Sequence, residues 1–217
     1  MYEQIIEEIK KTNTQLIAVS KTKPNEALLN LYNKGQRAFG ENYVQELVDK
    51  NATLPADIEW HFIGHLQSNK VKYIAPFVHF IHSIDSLKLL SEINKQAAKN
   101  NRVVKCLLQF HIADEDTKFG FDTEGVEELI GILKENDLSN VAICGVMGMA
   151  TFTDDKAQVR REFKKLKHVF DTLKSTYFVD NQSFTHISMG MSDDYKMAIE
   201  EGSTMVRIGS LLFGKRG

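Results

Sequence analysis

The sequence predicts an α/β fold: a single (β/α)8 TIM-type barrel with an extra N-terminal helix, formed by residues 1–217 as one domain. Three observations carry this expectation. Eight short apolar runs, most of them rich in β-branched and aromatic residues, alternate with longer segments of helical periodicity. Strict βα alternation implies parallel strands joined by right-handed crossovers. A chain of 217 residues suits one such domain, and no Pro/Gly/Ser-rich linker, internal repeat or low-complexity stretch divides it. Closure removes both sheet edges; an open doubly wound sheet is the alternative arrangement of the same units.

The eight strands are expected at residues 16–20, 38–40, 59–64, 80–84, 103–111, 141–147, 184–188 and 205–208. The extra helix is expected at 2–11. Further helices are expected at 24–34, 43–51, 70–75, 86–100, 122–136, 155–173 and 193–201. Pro24 suits a first helical turn, and Asp85 or Ser86 suits a helix cap. Gly202 stands where a helix-terminating glycine belongs, and residues 211–217 read as a short tail.

Hydrophobic residues make up 42% and charged residues 26%, an ordinary balance for a soluble globular protein. A net charge of -2 gives no reason to expect nucleic acid as a partner. The N-terminal MYEQIIEEIKK is charged and amphipathic, unlike a signal peptide, and no run approaches the ~20 apolar residues of a membrane span. Cys106 and Cys144 lie inside apolar runs, so they read as core residues of a cytoplasmic protein rather than a disulfide or nucleophiles.

In such barrels, ligands bind at the C-terminal ends of the strands. The first strand ends in Ser20-Lys21-Thr22-Lys23-Pro24, and Lys21 shares parity with Ile17 and Val19. If that face lines the barrel, the Lys21 amine is delivered to its mouth, where apolar surroundings favour the neutral, imine-forming amine. A solvated strand-end lysine is the plainer alternative. Loops after the seventh and eighth strands are this fold's usual phosphate cradle, and Ser188, Ser192, Gly209 and Ser210 fall there. Ser192 equally suits a helix N-cap. Arg207 lies within the eighth strand, where a cation is costly unless paired or bound to a ligand. In a closed barrel it neighbours the first strand, so Arg207 and Lys21 can flank one ligand. His61 and His65 would not share a helical face, His79 and His82 read as polar packing, and Asp114, Glu115 and Asp116 read as a solvated loop.

These stretches resemble the pyridoxal phosphate homeostasis protein family (the YggS/PROSC family). The resemblance runs through AVSKTKP at 18–24, FGENYVQE at 39–46, EWHFIGHLQSNK at 59–70 and SMGMSDDYKMAIEEGSTMVRIGSLLFG at 188–214, with a weaker match in QFHIADEDTKFG at 109–120. It implies a barrel similar to the N-terminal domain of alanine racemase, with pyridoxal 5′-phosphate (PLP) as cofactor. By position, Lys21 matches the lysine that forms the Schiff base. Ser188 and the Gly209-Ser210 pair match the phosphate site, Arg207 the arginine facing the pyridine nitrogen, and Asn42 a pocket residue. His61 and Met191 are weaker matches, and Lys118 matches a family lysine, which makes it a further candidate ligand contact. At His111 the sequence departs from the family's Q-x-N pattern.

The resemblance implies a monomeric PLP carrier or buffer in vitamin B6 homeostasis, with apo PLP-dependent enzymes as transient acceptors and no robust turnover. The racemases it resembles add a second domain, for which the predicted elements leave no residues here. The alternative is a small PLP-dependent racemase or lyase of the alanine-racemase type. A phosphate-ligand barrel without an imine is a third reading.

Overall fold

The computed structural model describes residues 1–114 and 119–214. All eight expected runs are strands: β1 (Gln15–Val19), β2 (Ala38–Glu41), β3 (Glu59–Phe62), β4 (Phe80–Ile84), β5 (Val104–His111), β7 (Val141–Met147), β8 (His186–Ser188) and β9 (Met205–Ile208). Every neighbouring pair is parallel. The β4–β5 and β1–β9 pairings close the sheet into a barrel, which excludes the open arrangement. Parallel strands buried on both faces need helices outside and apolar side chains inside, and the sequence supplies both.

The helices are α1 (Tyr2–Ile9), α2 (Asn25–Tyr32), α3 (Val44–Thr53), α4 (Val71–Ile74), α5 (Leu87–Lys99), α6 (Val126–Glu135), α7 (Lys156–Thr176), α8 (Tyr195–Glu200) and α9 (Ser210–Phe213). Side-chain alternation sorts each strand between two apolar layers. Ala18, Phe39, Trp60 and Phe62 face the helices. Ile17, Ala38, Phe80, Leu107, Cys144, Met147 and Met205 fill the lumen. Burial of a side chain such as Ile17 or Phe80 stabilises the barrel by about 1.5–3 kcal/mol. The extra helix α1 buries Ile5 and Ile9 against Leu16, Val206 and Ile208, beside the seam where the last strand meets the first.

Several boundaries differ from expectation. Residues 122–136 are not one helix. Phe121–Asp122 forms a short strand β6 paired with Phe110 and His111, and the Asp122 carboxylate accepts from Glu124 N at 3.0 Å, delaying α6 to Val126. The 70–75 helix splits into a 3-10 turn, Ser68–Lys70, and the single turn of α4. Ser86, not Asp85, caps α5. The tail folds as α9, and Lys215, Arg216 and Gly217 lie outside the described residues. Gly202 ends α8 at φ +96, a conformation that favours glycine.

Candidate ligand site at the barrel mouth

Ladder register defines the mouth. Val19 pairs with Gly40 and Ile17 with Arg207. Ile17, Val19 and Lys21 share parity, and Ile17 faces the lumen, so the half-buried Lys21 belongs to the inner face just past the end of β1. Asn42 stands in the matching position past β2, following the lumen residues Ala38 and Gly40.

The segment that carries Lys21 is fastened from behind. Lys50 on α3 is 5% exposed, and its amine donates to the Glu41 carboxylate at 2.7 Å, the Glu46 carboxylate at 2.7 Å and the Ser20 carbonyl at 2.8 Å. The Ser20 hydroxyl donates to Glu41 at 2.6 Å, and Thr22 N donates to Glu46 at 2.6 Å. That last bond holds Thr22 at φ +62, a left-handed conformation unusual for a β-branched residue. Burial pushes the Glu41 carboxyl up, against the lowering pull of Lys50 and Ser20. Lys21 is thus anchored through its backbone on both sides.

The wall on the other side of β1 from β2 is built on Arg207 of the adjacent strand β9, a residue 4% exposed. Its guanidinium donates to the Ser188 hydroxyl at 2.7 Å and the Gly148 carbonyl at 3.1 Å. Both acceptors are neutral. Burial pulls the Arg207 pKa down to about 10, opposed by the charge of Asp194. An arginine this far below its usual value still carries its charge at neutral pH. Behind Ser188, the His82 ring lies 2.9 Å from the hydroxyl through Nδ1 and 2.8 Å from His61 Nδ1 through Nε2.

Ser192 and Gly209 converge between these walls, with Gly209 N donating to the Ser192 hydroxyl at 3.4 Å. A Cβ on Gly209 would stand 3.3 Å from the Val19 carbonyl, so glycine lets the β9 end approach β1 closely. Ser210 is exposed and opens α9. Ser192 is not the N-cap of α8: Asp194 occupies that position, and its carboxylate accepts from Met191 N at 2.5 Å. Met191 is exposed at the rim. Asn42 Oδ1 is buried and has no hydrogen-bond partner among the described residues.

The structure therefore gathers Lys21, Asn42, Arg207, Ser192, Gly209 and Ser210 around one mouth. Ser188 stands apart from the other candidate phosphate ligands, fully buried beneath Arg207 with its hydroxyl already engaged. His82, read from sequence as polar packing, is a partner of that layer. The available signal was its parity with Phe80, which places it in the lumen. His65 lies outside this layer, stacked on Phe119 at 4.1 Å and 3.0 Å from Asp85. Gln109 donates to the Phe119 carbonyl at 2.9 Å. Lys118, Glu115 and Asp116 lie outside the described residues. Among the described residues, no group of three His, Cys, Asp or Glu is placed to hold a metal, and no helix is long and apolar enough to cross a membrane.

Comparison with known proteins agrees with this fold. The family model "Alanine racemase, N-terminal domain" matches residues 2–217, which defines the class of barrel. A curated protein of Aquifex aeolicus, named pyridoxal phosphate homeostasis protein, is 44% identical over 203 residues, 93% of this chain and 87% of its own length. The chain belongs to the pyridoxal phosphate homeostasis protein family. PipY of Synechococcus elongatus PCC7942, solved without PLP, is 33% identical and superposes with a TM-score of 0.88 over 97% of this chain and 99% of its own. The same protein solved with PLP bound gives 0.85 over 98% and 99%.

Proposed function

We propose that this chain binds PLP reversibly, with Lys21 as the covalent anchor, and acts as a carrier or buffer in vitamin B6 homeostasis. The observation that carries the reading is Arg207. Among the described residues the buried guanidinium donates to neutral acceptors and has no direct ion pair, so it keeps a charge that calls for an electron-rich partner in the mouth. The pyridine nitrogen of PLP is such a partner. Gly209 N–H and the hydroxyls of Ser192 and Ser210 are donors for its phosphate, and Asn42 Oδ1 is a buried acceptor still to be satisfied. The residues present fit the group.

When bound, PLP supplies an aldehyde open to reversible attack by an amine and a ring that withdraws electrons. Lys21 provides the amine. A guanidinium at the ring nitrogen, unlike a carboxylate, does not stabilise a proton there, which weakens the electron sink. This favours retention over robust turnover. Ser188 supports Arg207 and is not itself a phosphate ligand. Apo PLP-dependent enzymes are the transient acceptors, the protein works as a monomer, and its place is the cytoplasm.

The test is an absorbance spectrum of the purified protein with PLP, before and after borohydride, followed by peptide mapping. The expected result is a yellow protein, locked by reduction on Lys21, and a colourless Lys21→Ala variant. Unchanged absorbance in that variant would sink the assignment. Incubation of the PLP-loaded protein with amino acids in D2O should show no catalytic exchange of the α-hydrogen.

A further inference from the structure

We infer that His82 is a positioning residue for Arg207, and that Ser188, His82 and His61 form a one-way donor chain leading away from the guanidinium. The importance of this chain for ligand rests on the PLP reading; its hydrogen arrangement does not. Arg207 donates to Ser188 Oγ at 2.7 Å, Ser188 Oγ stands 2.9 Å from His82 Nδ1, and His82 Nε2 stands 2.8 Å from His61 Nδ1. His61 Nε2, the far end, is buried and has no hydrogen-bond partner among the described residues.

A hydrogen count decides the direction. The serine hydroxyl and two neutral imidazoles bring three hydrogens, one each, to two links. One hydrogen must sit at an end. If the links point towards Arg207, the Ser188 hydrogen has no assigned acceptor and His61 Nε2 is an unmet acceptor. If they point away, Ser188 donates to His82 Nδ1 and His82 Nε2–H donates to His61 Nδ1. Only His61 Nε2–H is then left over. The guanidinium favours the second arrangement, because each dipole presents its negative end to the cation and each bond polarises the next. Both histidines are then Nε2–H tautomers.

The surroundings keep the chain neutral. Burial lowers the pKa of both rings well below 6.5. His79, His186 and Lys105 add to this at His61, while His61, Arg207 and His186 do so at His82. A neutral chain fixes the orientation of the guanidinium without spending its charge, which a carboxylate in the same place would do.

Two experiments test this. Nitrogen-15 NMR of the ligand-free protein at neutral pH should show His61 and His82 as neutral Nε2–H tautomers, and both should stay neutral below pH 6. An Nδ1–H tautomer at His82, or ordinary titration of either ring, overturns the chain. The second compares PLP binding in two variants. His82→Phe removes the acceptor and should weaken binding about tenfold, the effect of losing one hydrogen bond in the layer. His82→Asn places an acceptor oxygen near the Nδ1 position and should bind within about twofold of the parent. Equal binding by the Phe variant, or equal loss in both, overturns the positioning role. If the parent itself fails to bind PLP, the functional reading falls and the NMR result alone decides the chain.

Discussion

The two walls of the mouth each bury a cation, and they treat it in opposite ways. Behind Lys21, Lys50 meets two carboxylates, Glu41 and Glu46, so its charge is consumed inside the protein. On the adjacent strand β9, Arg207 donates to a hydroxyl and a carbonyl and feels Asp194 only from beyond ion-pair distance, so most of its charge remains for whatever enters. A compensated buried charge is a structural strut. An uncompensated one marks a place where a ligand completes the electrostatics. Burial alone does not separate the two cases, since the residues are 5% and 4% exposed. The partners do.

The largest effect should come from breaking the strut. Lys50→Met leaves Glu41 and the Ser20 carbonyl buried without their cation, and should cost about 3–5 kcal/mol in urea-induced unfolding. A loss under 1 kcal/mol would mean that the cluster does not fasten the β1 end.

Acid should expose the neutral chain on the other wall. His61 and His82 have folded pKa values below the unfolded value, so the unfolded state binds more protons as pH falls through about 6.5. Stability is therefore full above that pH and lost below it, by about 1.4 kcal/mol per histidine at pH 5.5. Glu41 and Asp194 are shifted up by burial, and their contribution runs the other way, falling as pH rises above the ordinary carboxylate range. Unfolding midpoints at pH 7 and 5.5, with His82→Asn as control, isolate the histidine share. The variant should lose the His82 share, about 1.4 kcal/mol at pH 5.5, while His61 and the burial-lowered His79 and His186 keep theirs.

The smallest change in stability should accompany the largest change in binding. Arg207→Met replaces a buried cation that has no direct ion pair, with Asp194 acting on it only at longer range, by an apolar side chain of similar length, and should alter stability by no more than about 1 kcal/mol. Retention of PLP on a desalting column should be lost. A large loss of stability with PLP still retained would reverse the contrast between the two walls.

Much of the framework was legible in the sequence because barrel strands are read by simple periodicities. All eight runs became strands, since an apolar segment buried on both faces has no other place in a closed parallel sheet. Lys21 was legible because parity assigns a strand residue to one face, Arg207 because a cation inside a barrel strand needs a partner or a ligand, and Asn42 only through the family resemblance. Asp122 was misplaced in a helix because an Asx turn and a two-residue strand carry almost no periodic signal. Ser188 was grouped with Ser192 because both are small hydroxyl residues near one strand end. Strand depth separates them: one is buried in the lumen, the other half-buried at the mouth.

The sequence by itself determined the order of elements, the lumen parity of Lys21 and Arg207, and the glycine and hydroxyl residues of the rim. These are local matters of spacing and residue chemistry. The tertiary structure alone decided which buried cation is neutralised, which serine lies beneath the guanidinium, and that His82 joins it to His61. Such partnerships form across the barrel between residues as far apart as His82 and Ser188. No pattern along the chain encodes the pairing of two side chains from strands that meet only when the sheet closes.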